Sequence, residues 1–344
     1  MKTIDLSVII PVYNVEAYVE ACLRSVMEQE HKGFDVECII VDDRGQDGSM
    51  GVVRRTLDTY KGDIEFKIIE HDENRGLSAA RNTAIRAARG KYVTFLDSDD
   101  RLLPGALAGM YQLTVKYPGV DIVQGGIKLD KPAKWLGQFF NVSAAEFPEC
   151  IADKKIAKQA ILFEIPVTSW AKLIRRDFII ANDLFFTEGI VHEDDMWAVC
   201  ASLYIESFAF YFTPVYYYNN DMPNSIMGNP DKTRSFIAKM KIIEKATELF
   251  AQNPCKSYYD YILWKLEISN KIALWADISD KVIAKKAIGY MRKAVADTKC
   301  LPLNVAACYY SLPLVICNNQ VTAPIYRRLL KKYSSLYSRK IISK

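Results

Sequence analysis

The chain of 344 residues is long enough to bury a large core and to form about two domains, or one domain with an appendage. Half of its residues are hydrophobic, a quarter are charged and no low-complexity tract occurs, which excludes an intrinsically disordered protein. The formal net charge of +4 is unevenly placed: from Thr298 to Lys344 there are eight Lys or Arg and no Asp or Glu, so the positive excess sits wholly at one end. Eight cysteines are scattered singly without a Cys-x-x-Cys pair, which argues against a zinc site or a disulfide frame and for a reducing compartment. Met1 to Leu6 leads directly into a strand without an apolar signal segment, so a cytoplasmic protein is expected.

In chain order, Leu6–Val12 reads as a buried strand, and Val15–Glu28 follows with Val19, Leu23, Val26 and Met27 at helical spacing. Val36–Val41 is a second strand ending at Asp42-Asp43, and Ile64–Glu70 is a third. Ser78–Ala88 is an Ala-rich helix stopped by Gly90, after which Tyr92–Leu96 is a fourth strand. This alternation implies a mainly parallel α/β sheet flanked by helices, extended by strand-like segments near Asp121–Gly125 and Phe208–Phe212. From about Asp231 the pattern becomes helical, with Phe236, Met240, Ile243 and Phe250 on one face; Ile262, Leu266, Ile272 and Trp275 suggest another helix and Val282–Ala296 a third. The apolar run Leu301–Cys317, broken by Pro302, Asn304 and Pro313, is too interrupted to cross a membrane comfortably. With the basic segment Ile325–Tyr333 it suits either an interfacial anchor on an anionic membrane or a packed helix with a solvated basic face.

The segment Tyr92–Asp100 carries the most information: an apolar strand ends abruptly in Asp97, Asp99 and Asp100. Ligands of open α/β sheets bind beyond the carboxyl ends of the strands, and carboxylates crowded there repel one another unless a cation neutralises them. A few hard oxygen ligands with coordination positions left over suit Mg2+ or Mn2+ holding a diphosphate. Asp97 and Asp99, two residues apart in an extended segment, can converge on one site, whereas Asp100 points elsewhere. A lone Asp-x-Asp would more simply be a solvated turn.

Further blocks settle the choice. Ser7–Asn14 (SVIIPVYN), Val41–Asp43 (VDD), Asn74–Asn82 (NRGLSAARN), Phe95–Asp100 (FLDSDD), Trp170–Phe178 (WAKLIRRDF) and Gly189–Asp195 (GIVHEDD) occur in one order. Together they resemble the family 2 glycosyltransferases of bacterial polysaccharide and lipopolysaccharide synthesis, which have the GT-A fold, over roughly Leu6 to Ile226. The resemblance implies a glycosyltransferase domain over 1–230, with a nucleotide-sugar half (1–125) and an acceptor half (126–230), and a helical region over 231–344 outside it. It places the nucleotide on Pro11, Tyr13, Asn14 and Asp43, with Tyr13 facing the base and Asp43 accepting from the N3–H of uracil. Arg81 would reach the diphosphate or brace Asp43, Asp97 would meet the ribose or a metal-bound water, and Asp99 would be the direct metal ligand. Asp194 would be the general base, oriented by Glu193, with Trp170 as a stacking floor and Asp195 a further contact for the acceptor. Trp170 in the core is an equally good reading.

The implied activity is inverting, metal-dependent transfer from a nucleotide sugar, most naturally UDP-linked, to an oligosaccharide that could be carried on a polyprenyl diphosphate at the inner membrane face. Arg44-Gly45 stands where the family usually has Gly-Ser, and the cation common before its Asn-Ser-Ile is missing before Asn224, leaving Lys232 or Arg234 as substitutes. A sugar nucleotidyltransferase would need a Gly-rich phosphate loop after the first strand, and a dehydrogenase a Gly-x-Gly-x-x-Gly; neither is present. A non-catalytic nucleotide-binding relative is the remaining alternative, opposed by the intact Asp99 and Asp194. Nucleic acid is disfavoured because the basic cluster lacks an interleaved aromatic reading surface.

Overall fold

A computed structural model of the chain describes residues 3–131, 143–220 and 233–252 together with 258, 261, 262 and 265. The chain separates into two compact units, Met1–Ser225 and Ile226–Lys344. The first opens with β1 (Leu6–Val12), α1 (Val19–Met27), β2 (Val36–Asp42), α2 (Ser49–Asp58), β3 (Glu65–Glu70), α3 (Leu77–Ala87) and β4 (Tyr92–Phe95). β5 (Arg101–Leu102), α4 (Ala106–Lys116), β6 (Ile122–Leu129), β7 (Cys150–Ile151), β8 (Lys172–Arg175) and β9 (Phe208–Tyr218) follow, with short helices at Lys154–Gln159, Arg176–Ala181 and Glu193–Ala201.

The strands form one sheet in the order β3-β2-β1-β4-β8-β6-β9-β5, with β7 paired to β9. The four strands of the first half are parallel, as the strand–helix alternation requires. Beyond β4 the sheet becomes mixed: β8 enters antiparallel between β4 and β6, while β6 and β9 run parallel to one another. β1 and β2 are buried along their full lengths because both faces are covered. Leu6, Val8, Ile10 and Val12 of β1 share a core with Val19, Leu23 and Val26 of α1, and α3 packs on β1 and β2.

α2, α4 and the three short helices after β7 are absent from the sequence-based assignment. In α2 only Ser49, Val53 and Thr56 are buried and Gly51 interrupts the pattern, so its apolar stripe is too narrow to stand out. α4 begins after a left-handed Gly105 (φ 73°) and buries Leu107, Met110 and Leu113 at helical spacing, a signal present in the sequence that the strand–helix reading did not use. In the second unit, the helix Thr233–Gln252 buries Phe236, Met240, Ile243 and Phe250, the face the sequence indicated, and Phe250 stacks on Tyr258 at 3.9 Å. The expected helix at Val282–Ala296, the run Leu301–Cys317, the basic end and Lys232 lie outside the described residues. Among the described residues no helix is long and apolar enough to cross a membrane.

At the end of the sheet remote from the strand carboxyl termini, the buried Glu37 of β2 is satisfied by Ser7 Oγ (2.6 Å), the Arg89 N–H (2.7 Å) and Arg89 Nε (2.8 Å), while the Gly90 N–H donates to Ser7 Oγ (2.9 Å). A Cβ on Gly90 would lie 2.6 Å from the Ser7 backbone nitrogen and 2.7 Å from the Leu6 carbonyl carbon. Backbone cannot yield as a side-chain end can. Gly90→Ala is therefore expected to destabilise the protein by about 1–3 kcal/mol through overpacking, read as a lower thermal midpoint; an unchanged midpoint would contradict this packing.

Candidate active site

The carboxyl ends of β1, β2 and β4 meet at one edge of the sheet. After β1, Tyr13 is exposed and Asn14 adopts a left-handed backbone (φ 51°); after β2, Arg44 does the same (φ 56°). The two loops are laced together: Asn14 Oδ1 accepts the Gln46 N–H (2.7 Å), Ser49 Oγ accepts the Val15 N–H (2.8 Å) and Asp47 Oδ2 accepts the Glu16 N–H (2.9 Å). A Cβ on Gly45 would stand 2.8 Å from the Asn14 nitrogen, so glycine is required there for close approach. Arg44-Gly45 thus places the positive φ one position before the glycine.

Asp43 is 2% exposed and its carboxylate is heavily engaged. Oδ1 accepts from His71 Nδ1 (2.7 Å) and the Arg75 N–H (2.9 Å), and Oδ2 from the Gly76 N–H (2.8 Å) where α3 begins. A carboxylate has about four lone-pair sites, so one on Oδ2 remains. His71 Nε2 in turn meets Thr83 Oγ1 at 2.9 Å. His71 was not singled out in the sequence; its only signal is its place one residue past β3, at the same sheet edge.

Arg81 replaces the expectation that it braces Asp43 or reaches a diphosphate. Its side chain, 2% exposed, lies over the rings of Phe95 and Phe186 (5.8 and 5.2 Å from the centroids). Nη2 donates to Asp97 Oδ1 (2.7 Å) and Nη1 to Glu193 Oε1 (2.6 Å). Burial opposes the guanidinium charge, but Asp97 and then Glu193 outweigh it and raise its proton affinity. Two acidic clusters almost a hundred residues apart in sequence are joined by this one cation.

The three aspartates lie past β4 in a turn closed by the Asp100 N–H on the Asp97 carbonyl (3.0 Å), not in the extended segment that the i, i+2 expectation assumed. Asp100 is buried: Oδ2 accepts from Tyr216 Oη (2.7 Å) and Oδ1 from the Asn219 N–H (2.7 Å). Tyr216 Oη also accepts the Asp97 N–H (3.1 Å), so β9 is pinned to the triplet, helped by the antiparallel pairing of Arg101 with Tyr217 in β5. Burial, then Asp99 and Asp97, push Asp100 up to about 8. Asp99 is partly exposed and lines a cavity of about 210 Å3 with Tyr18, Arg101, Asp130, Tyr217 and Asn219. Burial and the neighbouring Asp97 push it up to about 6. Among the described residues no group of three or more His, Cys, Asp or Glu side chains could hold a metal ion by itself. Asp99 with Asp97 nonetheless has the donor chemistry of a Mg2+ or Mn2+ site completed by a diphosphate, and mutual repulsion is what a cation would relieve.

The second cluster is the first turn of the helix Glu193–Ala201, entered through His192 at φ 59°. Glu193 and Asp195 are buried, and Asp194, partly exposed, accepts the Asp195 N–H at Oδ1 (2.8 Å). Burial, then Glu193 and Asp195, push Asp194 up to about 7 against the opposing pull of Arg81. Trp170, expected as a stacking floor, is 6% exposed and stacks on Tyr216 and Tyr218 at 4.5 and 5.2 Å, so it belongs to the core. Asp195, at 3% exposure, likewise has little surface to offer an acceptor. Pro11 is buried in β1.

The sequence model described as "Glycosyl transferase family 2" matches residues 7–178. The chain belongs to glycosyl transferase family 2. Curated members include the putative glycosyltransferase EpsH of Bacillus subtilis, 30% identical over 221 residues that make up 63% of this chain and 61% of EpsH. The poly(ribitol-phosphate) beta-glucosyltransferase of Bacillus spizizenii is 36% identical over 124 residues, 36% of this chain and 19% of that protein. The matches thus span less than two thirds of these relatives. Among solved structures, S. aureus TarS 1-349 in complex with UDP-GlcNAc aligns over 90% of this chain and 89% of its own with a TM-score of 0.69 and 18% identity. The mannosyltransferase PcManGT from Pyrobaculum calidifontis, in complex with GDP-Man and Mn2+, aligns over 96% and 85% with a TM-score of 0.58 and 18% identity. These likenesses confirm the GT-A fold, and the family match places the chain among the glycosyltransferase sequences.

Removing Arg81 leaves Asp97 and Glu193 as uncompensated, largely buried acids. Arg81→Met is therefore expected to cost about 3–5 kcal/mol of stability, seen as a lower denaturation midpoint; a loss below 1 kcal/mol would mean that the bridge is incidental.

Proposed function

We propose that this glycosyltransferase moves a sugar, with inversion, from a UDP-linked donor to an oligosaccharide acceptor in cell-surface polysaccharide synthesis. The observation that carries the reading is the juxtaposition through Arg81 of Asp97, beside Asp99 at the end of β4, with Glu193, beside Asp194 at the start of its helix. The first pair suits the leaving nucleotide and the second the incoming hydroxyl. Tyr13 offers an exposed ring to the base, and Asp43 keeps one acceptor position for an imide N–H. TarS with UDP-GlcNAc favours a uridine nucleotide, and the beta-glucosyltransferase relative acts on a poly(ribitol-phosphate), which favours a cell-surface polymer as acceptor. The donor half is 1–125 and the acceptor half 126–230. A lipid-linked acceptor at the cytoplasmic face of the membrane accords with the basic end of the sequence.

Asp194, with a proton affinity near neutrality, removes the acceptor hydroxyl proton as the oxygen attacks the anomeric carbon. The bond to the diphosphate breaks in the same displacement, and no covalent enzyme intermediate forms. Glu193, held by Arg81, fixes the turn on which Asp194 stands. Asp99, with Asp97 beside it, would hold Mg2+ or Mn2+, which when bound neutralises charge on the departing nucleoside diphosphate.

Screening the full chain with Mn2+ against nucleotide sugars, with Asp194→Asn as control, tests the reading. A UDP-sugar is expected to be turned over, and Asp194→Asn to lower kcat by about 10²–10⁴-fold with donor affinity retained; full activity of the variant would refute the assignment. Metal binding has its own readout. Protons compete with a cation for Asp99, whose folded pKa of about 6 lies above the ordinary carboxylate value. The rise in melting midpoint on adding Mn2+ and UDP should therefore be small below that pH, grow as pH rises through it, and vanish in Asp99→Ala. A rise independent of pH would place the cation elsewhere.

A further inference from the structure

Arg101, the first residue of β5, stands opposite Tyr217 of β9 in the antiparallel pair beside the aspartate turn. Its guanidinium lies over the Tyr217 ring, 4.2 Å from the centroid. The ring is itself held, because Tyr217 Oη donates to Asp130 Oδ1 and the Asp130 N–H donates to the Tyr218 carbonyl (3.0 Å). Just past β9, the Asn219 N–H donates to Asp100 Oδ1 (2.7 Å) and Asn219 Nδ2 to the Asp99 carbonyl (3.5 Å). Arg101, Tyr217, Asp130 and Asn219 thus line one cavity with Asp99, and its walls are tied together.

The other arginines near this edge of the sheet have carboxylate partners. Arg44 pairs with Glu70 (3.4 Å), Arg75 with Glu188 (3.6 Å) and Arg81 with Asp97 and Glu193. Arg101 is exposed, and among the described residues it makes no ion pair. Stacking on an exposed ring holds a cation only weakly, but it orients the plane of the guanidinium and leaves the N–H donors at its edge unused. A planar fork so placed suits a phosphate group.

Charge balance points the same way. A sugar nucleotide carries negative charge on each phosphate, and cleavage of the anomeric bond adds another. A divalent cation on Asp99 is already partly neutralised by its carboxylate ligands, so it does not balance a diphosphate alone. Arg81 is committed to Asp97 and Glu193, and Tyr216–Asn220 brings no lysine or arginine to the cavity. Among the residues lining the cavity, Arg101 is the one cation.

We propose that Arg101 binds the diphosphate of the sugar nucleotide, sharing its charge with a cation on Asp99. This rests on the reading of Asp99 as the ligand of a metal that meets a nucleotide diphosphate.

The test titrates full-length wild type, Arg101→Gln and Arg101→Lys with UDP and with inorganic pyrophosphate in the presence of Mn2+ by calorimetry, and with uridine by ligand NMR. Arg101 is exposed and β5 pairs with β9 through backbone, so the variants should keep the wild-type thermal midpoint. In Arg101→Gln, UDP and pyrophosphate should each bind about tenfold more weakly, with uridine within about twofold of wild type. Arg101→Lys, which keeps the charge without the fork, should fall between the two. Affinities for both diphosphates within about twofold of wild type in Arg101→Gln overturn the proposal, as does equal weakening of all three probes. A loss in Arg101→Lys as large as in Arg101→Gln overturns the role of its charge and the proposal with it. Pyrophosphate binding that depends on Arg101, with UDP bound no better than pyrophosphate, would uphold the proposal and refute the uridine donor. Wild type that binds neither diphosphate overturns both.

Discussion

A guanidinium cannot stay in a protein interior without anions beside it, and Arg81 lies there between two carboxylates from distant parts of the chain. α3 delivers it from one face of the sheet, Asp97 follows two residues after β4 and the later helix begins with Glu193. Each acid is beside a second, less committed one: Asp99 next to Asp97 and Asp194 next to Glu193. The bonded acids therefore fix where Asp99 and Asp194, the proposed metal ligand and base, stand. Burial first, and then the crowding of several carboxylates around one arginine, make Asp99, Asp100 and Asp194 hold protons above the usual carboxylate range. A site with that electrostatic balance is ready for a cation at one end and for a proton at the other.

The sheet serves this arrangement. Parallel β1, β2 and β4 align their carboxyl ends, and the lacing of the Tyr13 and Arg44 loops joins two of those ends. Antiparallel β8 then brings the Trp170–Lys172 segment alongside, and β9 returns Tyr216 to the triplet, where a single hydroxyl serves Asp97 and Asp100 together. The stack of Trp170 with Tyr216 and Tyr218 makes that junction part of the core.

Much of this was legible from residue order. β1 matches its expected bounds, and β2, β3, β4 and α3 fall within one or two residues, because buried parallel strands and a Gly-terminated helix have strong periodic signals. The clustering of Asp97, Asp99 and Asp100 at the end of the fourth strand was legible, whereas the turn that sorts them was not. What stayed hidden depended on tertiary partners. Nothing local says that Arg81 will meet Glu193, that His71 will hold Asp43, or that Trp170 will stack on β9 instead of facing a sugar.

If Arg81 unites the two acidic clusters, perturbing one must be felt by the other even though they lie on separate elements. The direct measurement is a double-mutant cycle on kcat/KM with Asp97→Asn, Glu193→Gln and the double variant, repeated in Arg81→Lys. A coupling of about 1–3 kcal/mol that shrinks in Arg81→Lys is the predicted result. Additivity within about 0.3–0.5 kcal/mol in the native background would show that the clusters act independently, and the account would fail.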